Sequence, residues 1–131
     1  MAKNIIRSMG KTRALPVPAG TKSGDPVAVG NFVGVALTDR AVIDVDPFIQ
    51  VTGLPNPAYN KGGGNAHGEA TIAREAEAVF QDIAFAVAEI GLPIYITPAN
   101  ALTLTASGNK LFGLSYSTKA AAAGPLTVVI G

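Results

Sequence analysis

One short phrase occurs twice in this chain, and it limits the fold more than any other feature. Ser23-Gly24-Asp25-Pro26-Val27-Ala28-Val29-Gly30 leads into Gly34-Val35-Ala36-Leu37-Thr38. Later, Ile90-Gly91-Leu92-Pro93-Ile94-Tyr95-Ile96-Thr97 leads, after a longer insert, into Leu111-Phe112-Gly113-Leu114-Ser115-Tyr116. Proline fixes φ and has no N–H to donate, so it opens a strand and does not sit in its middle. Gly24 and Gly91, two residues earlier, supply the turn before the strand. Each copy therefore reads as turn, strand, reversal and second strand, with Gly24, Pro26 and Gly34 matched by Gly91, Pro93 and Gly113. Two such units with no long helix between them predict an all-β domain, a compact sandwich or barrel of short strands. They do not predict an α/β catalytic crevice.

Residues 1–15 read as an extended N-terminal arm with scattered basic side chains (Lys3, Arg7, Lys11, Arg13), and 16–131 as a single β-rich domain. Leu15-Pro16-Val17-Pro18 forces extended backbone, because each proline disfavours helix in the residue before it. Strands are expected at 26–29, 32–38, 42–45, 93–96, 100–105, 111–116 and 126–130, with a small-residue turn from Ala120 to Gly124. Turn formers crowd together from Pro47 to Gly68, and a loop this long within a compact domain is functional or disordered. Ala70–Phe80 is ambiguous. Its Ala and Glu content favours a helix with Ile72, Ala76, Val79, Phe80 and Ile83 on one stripe. The missing N-cap and the alternation from Phe80 to Val87 favour strand instead, at 70–80 and more strongly at 83–88.

At 131 residues the chain is one domain by length, able to bury roughly two-thirds of its unfolded surface. Only 15% of residues are charged, against ~25% in an ordinary globular protein. Either part of the surface is covered by other chains, or an Ala-rich β protein simply needs little charge. A net charge of +1 gives no electrostatic footprint for nucleic acid or an anionic membrane surface. No apolar run approaches the ~20 residues of a spanning helix, and Met1–Arg7 lacks the apolar stretch of a signal peptide. With no cysteine there is no disulfide, thiolate or Cys-type zinc chemistry, and the simplest site of synthesis is a bacterial-type cytosol.

Each candidate for chemistry in the chain has a simpler reading. Gly10-Lys11-Thr12 looks like the tail of a phosphate-binding loop, but Ile5 stands where that loop needs glycine. His67-Gly68-Glu69 has the His-x-Glu spacing of zinc deaminases without their paired cysteines, so His67 reads as a solvated loop residue. Gly62, Gly63 and Gly64 could cradle an anion through backbone N–H groups, or form a flexible loop, the simpler reading. Asp44 and Asp46 would share a strand face, yet Pro47 follows directly and a solvated turn fits better. Tyr59, Tyr95 and Tyr116 are too scattered for a base-stacking platform. Phe32, Phe48, Phe80, Phe85 and Phe112 fit core positions or intersubunit plugs. No enzyme, cofactor or metal site is expected.

Taken in order, Pro18-Ala19-Gly20, Ser23–Val27, Gly34–Asp39, Gly91–Tyr95, Gly108–Gly113 and Gly124–Ile130 resemble the small capsid-decoration (head cement) proteins of tailed phages. The match runs from about residue 3 to 130; the motifs are short and glycine-rich, so their order and spacing carry the weight. The resemblance implies a β-rich domain, often trimeric, bound outside the assembled head. There it clamps neighbouring major capsid protein subunits against the pressure of packaged DNA. The Gly53–Gly68 loop and the alanine-heavy middle segment depart from the family pattern.

On this reading the expected partners are the major capsid protein and further copies of the chain, with no nucleic acid and no membrane. The place of action is the outer surface of the virion. Lys3, Asn4, Ile5, Ile6 and Arg7 are the candidate capsid contacts, adding a strand to a capsid sheet edge with the isoleucines in pockets. The alternatives are another phage structural β protein, such as a tail-tube or head–tail joining subunit, and a carbohydrate- or receptor-binding β module.

Overall fold

A computed structural model of the protein describes residues 12–130, and within them the regular structure is nine strands and one 3₁₀ turn. β1 (Thr12–Pro16), β2 (Pro26–Val29), β3 (Phe32–Ala36) and β4 (Glu69–Ala73) form an antiparallel sheet in the order β1-β4-β3-β2. β5 (Ala76–Ile83), β6 (Pro93–Ile96), β7 (Leu102–Thr103), β8 (Lys110–Ser115) and β9 (Gly124–Ile130) form a second, in the order β5-β9-β8-β6-β7. The class is all-β, as the paired Gly-x-Pro phrases require.

With β7 set aside, the two sheets share one wiring: β1, β4, β3 and β2 correspond to β5, β9, β8 and β6. Register repeats as well. Pro26 faces Val35 and Val27 faces Gly34, while Pro93 faces Leu114 and Ile94 faces Gly113. The Gly24 N–H donates to the Ala36 carbonyl at 2.7 Å, and the Gly91 N–H to the Ser115 carbonyl at 2.8 Å. Ala36 and Ser115 donate in return to the carbonyls of Asp25 and Leu92, both at 2.9 Å. The phrase is the cause. Positive φ at Gly24 (94°) and Gly91 (92°) turns the chain into the ladder, and the proline two residues on begins the strand.

Gly34 and Gly113 serve a different need, close approach of the neighbouring strand. A Cβ on Gly34 would stand 2.5 Å from Ile72 Cγ2 and collide with the Ala73 carbonyl oxygen. On Gly113 it would stand 2.9 Å from Val128 Cγ1 and collide with the Val129 carbonyl oxygen. Both glycines therefore hold the same place in the two units.

One face of the first sheet packs Leu15, Val27, Ala36, Ala70 and Ile72 into a small core. Val35, on its other face, joins Phe80, Ile94, Phe112, Leu126 and Val128 in a larger one. β3 thus belongs to both cores and ties the sheets together. Phe80 and Phe112 meet edge to face, centroids 5.6 Å apart, a favoured aromatic geometry. β9 carries a proline at its second position, which has no N–H for the ladder. Opposite it β5 bulges: Phe80 pairs with Leu126 and Ile83 with Gly124, so Gln81 and Asp82 oppose Pro125 alone. Asp82 takes φ 58° to do so.

Several sequence expectations are corrected. Ala70–Phe80 is strand, but split at Arg74–Glu75 between two sheets, because burial of Ala70 and Ala73 outweighs alanine's weak strand preference. No strand follows at 83–88: β5 ends at Ile83, and Val87 only bridges to Lys119. Lys119 Nζ donates to the carbonyls of Phe85 (3.0 Å), Ala120 (2.7 Å) and Ala122 (2.7 Å), fixing these residues as loops. The strand expected at 42–45 shrinks to a bridge between Val42 and Asn60. That at 100–105 shrinks to Leu102–Thr103, since Asn100 (φ 62°) still belongs to the preceding turn. Gly124 joins β9 instead of ending a turn. Residues 12–15, read as arm, lie in β1 and pair with β4 from Thr12–Ala73 to Leu15–Ala70.

Candidate interaction surface

Between β3 and β4 the chain leaves the sheet for some thirty residues, and polar side chains hold this excursion together. Asn65 Nδ2 donates to the Gly62 carbonyl (2.8 Å) and to Thr71 Oγ1 (2.9 Å), while the Thr71 N–H donates to Thr38 Oγ1 (3.1 Å). Asp39 accepts from the Ser23 N–H and from Asn60 Nδ2, both at 2.9 Å. The Ser23 bond first, and then the Asn60 bond, hold the Asp39 carboxyl below the ordinary carboxylate range, with Lys22 helping and desolvation opposing. Gly62 and Gly63 make the 3₁₀ turn by close packing: a Cβ on either would stand 2.6 Å from Ala41 or 2.7 Å from Thr38 Cγ2. The 53–68 loop is thus held by bonds within it and by bonds to Asp39, Thr38 and Thr71 on either side.

The chemistry-bearing residues singled out in the sequence serve this lobe. His67 Nδ1 accepts the Ile43 N–H at 3.2 Å, and its Nε2 lies 3.4 Å from Asp44 Oδ2. His67 is therefore anchored at both ring nitrogens, not simply solvated. Asp46 Oδ2 accepts from Gln50 Nε2 at 3.3 Å and shares no strand face with Asp44. Among the described residues, no three His, Cys, Asp or Glu side chains cluster. No helix there is long and apolar enough to cross a membrane. Gly10, Lys11 and the capsid-contact candidates Lys3, Asn4, Ile5, Ile6 and Arg7 lie outside the described residues.

Beyond the polar base projects a short hairpin. Phe48 bridges to Pro55, the Ile49 N–H donates to the Leu54 carbonyl at 2.8 Å, and the Gly53 N–H donates to the Ile49 carbonyl at 2.7 Å. Its side chains point into solvent: Phe48 is 57% exposed, Val51 95% and Leu54 60%. From Pro47 to Asn60 no residue carries a charge.

A second apolar surface lies on the outer face of the second sheet. The register between β6 and β8 shifts at Phe112, so Phe112 and Gly113 both turn inward. Leu111 and Leu114 are left on the outside beside Val129, the register partner of Leu114. With Phe32 of β3 and Arg74, which follows β4, they line an open groove of about 400 Å³. The Arg74 guanidinium stacks 4.8 Å above the Phe32 ring. A further groove of about 460 Å³ runs between β5 and the Ser23–Pro26 turn.

Comparison with protein-family models, with curated proteins and with solved structures finds no match for this chain. Gly24, Pro26, Gly91 and Pro93 form the turns and strand starts expected of them, whereas Gly34 and Gly113, expected as turn residues, lie inside β3 and β8, in equivalent places of the two units. Phe80 and Phe112 are core, whereas Phe32 and Phe48 are exposed. The sequence marks the Pro47–Gly68 loop and Phe48, but neither the hairpin within that loop nor the Leu111–Leu114–Val129 face. The hairpin's signal was present in the uncharged run; the outer face depended on a bulge that no local pattern announces.

Proposed function

We propose that this chain is a decoration protein of a tailed-phage head, binding the outer surface of the assembled capsid and clamping neighbouring major capsid protein subunits as a homotrimer. The observation that carries the reading is the ordered series of Gly/Pro motifs resembling that family over nearly the whole sequence. The architecture supports it. Two like-wired sheets, joined by a shared core and closed loops, make a stiff body with little charge and separate apolar patches. Such a body works by being held at several points. Linked contacts raise avidity by roughly 10²–10⁴ over one contact alone. No catalysis, cofactor or nucleic acid enters the reading. The protein is made in the host bacterial cytoplasm and acts on the virion surface.

The test is to mix purified protein with undecorated heads and ask whether it co-sediments. Co-sedimentation at a fixed copy number per capsid subunit is expected, and loss of retention on deleting residues 2–8 would assign the contact to Lys3–Arg7. Failure to bind any undecorated head sinks the reading. Rings or stacked tubes formed by the protein alone, seen by electron microscopy, would favour a tail-tube or joining subunit instead.

A further inference from the structure

Eleven residues precede Thr12, and the first sheet fixes where they join the body. Thr12 opens β1 opposite Ala73, and Arg74, the next residue after Ala73, already lines the groove that holds Leu111, Leu114 and Val129. Three residues after Ala73, Ala76 pairs with Ile130, which lines the same groove. The N-terminal segment therefore starts at the rim of this groove. The polar lobe lies elsewhere, leaving beyond Ala36 and returning before Glu69.

The outer face of the second sheet has a definite order. Residues paired across antiparallel strands share a face, so Glu77, Val129, Leu114 and Pro93 form one row across β5, β9, β8 and β6. Leu114 is 49% exposed, and Leu111, in the next row opposite Tyr95, is 56% exposed. Glu75 and Glu77 stand exposed at the near end of the row. Among the described residues neither has an ion-pair partner.

The residues before Thr12 run in a complementary order. Away from Thr12 come Lys11, Arg7, Ile6, Ile5 and Lys3; away from Ala73 come Glu75, Glu77, Val129 and Leu114. Residues 1–11 hold three of the ten basic side chains and no acid, which leaves seven basic against nine acidic in the rest of the chain. The lengths agree as well. At ~5 Å across each strand pair and ~3.3 Å along a strand, Glu77 is at most ~18 Å from Thr12, and Val129 at most ~23 Å. Arg7 and Ile5 stand five and seven residues from Thr12, spans of up to ~17–18 Å and ~23–25 Å.

We propose that residues 3–7 lie across the outer face of their own chain's second sheet, with Arg7 on Glu77 and Ile5 over Val129 and Leu114. An extended backbone points Arg7 and Ile5 to the same side. The covalent link stands in for area. A short tether holds its end at millimolar effective concentration, so a few side chains suffice where separate molecules need a far larger interface. A capsid contact through Lys3–Arg7 would first have to lift the segment from this face. The inference itself concerns the free chain and holds whether or not the protein binds a capsid.

The experiment is nuclear magnetic resonance on the full chain. Because the chain has no cysteine, Asn4→Cys takes a single nitroxide label. With the label oxidised, the methyl signals of Leu114 and Val129 are expected to be lost, and those of Val51 and Leu54 in the lobe to persist. Glu77→Lys should bring the lost signals back, with unchanged far-ultraviolet circular dichroism, and adding Arg7→Glu to it should remove them again. In a mixture of nitroxide-bearing chain with isotope-labelled chain free of nitroxide, all the signals should persist. Leu114 and Val129 signals no weaker than those of the lobe would overturn the proposal. So would losses that Glu77→Lys does not reverse, or losses between chains in the mixture, which would seat a second copy's segment on the face instead.

Discussion

Gly113 lies so close beneath the backbone of Val129 that the carbonyl oxygen of Val129 occupies the space a Cβ would need. Gly34 stands in the same relation to Ala73. Because the obstacle is backbone in a paired strand, it cannot swing aside. Gly113→Ala and Gly34→Ala are expected to destabilise by ~2–3 kcal/mol, the upper part of the range for overpacking. Gly108→Ala meets nothing within 4 Å and carries only the strain of φ 75°, ~1–2 kcal/mol. Urea unfolding of the three variants checks the order.

Lys119 holds three backbone carbonyls from two loops with one ammonium group. Replacing it by methionine keeps the stem but leaves those acceptors to water. A loss of ~1–3 kcal/mol is expected. Hydrogen exchange at Val87, whose N–H donates to the Lys119 carbonyl at 3.0 Å, should accelerate before exchange elsewhere in the second sheet. Uniform acceleration would place the role of Lys119 in global stability instead.

Asp39 fastens the turn before β2 to the lobe after β3. Its folded carboxyl titrates below the ~3.9 of an unfolded aspartate. Its contribution is therefore fully present above the unfolded value and is lost as pH falls through the lower, folded one. Asp39→Asn should lower the urea midpoint most at neutral pH, and the gap to wild type should close in acid below the ordinary carboxylate range. A gap constant from neutral pH into strong acid contradicts this.

Asn65 bonds Gly62, Thr71 and Thr38 at the root of the hairpin. Asn65→Ala removes these part-buried bonds and leaves Thr71 Oγ1 without its amide partner, which should cost ~1–3 kcal/mol. Proteolysis is expected to fall first between Pro47 and Gly68, with the two sheets intact. Cleavage beginning elsewhere would mean that the lobe does not depend on this amide.

How much could be read beforehand follows from how local each cause is. Gly24-x-Pro26 and Gly91-x-Pro93 carry their turn and strand start within three residues, so those strands and the all-β class were legible. The likeness of the two units was visible only in that phrase. The rest of the wiring joins Gly34 to Ala73 and Gly113 to Val129, pairs that are distant in sequence. Alternation misled at 83–88, where Asp82's bulge and the Lys119 ammonium decide the backbone. The lobe reads in the sequence as a functional or disordered loop because its glycines and asparagines are turn formers; here Gly62 packs on Ala41, and Asn60 and Asn65 bond Gly62. Of the interaction surface, the charge-free run was readable, and the Leu111–Leu114–Val129 face was not.

The kink that Pro125 imposes on its neighbour has a bearing on how many molecules can coexist. β5 is the outermost strand of its sheet, and an outermost strand invites a stranger's backbone to zip alongside it. With Asp82 thrown into the left-handed region, the last turn of that margin is bent and carries a carboxylate. A foreign backbone that zips along β5 from Ala76 therefore meets a bend and a negative charge after Phe80, which limits the length of any seam formed there.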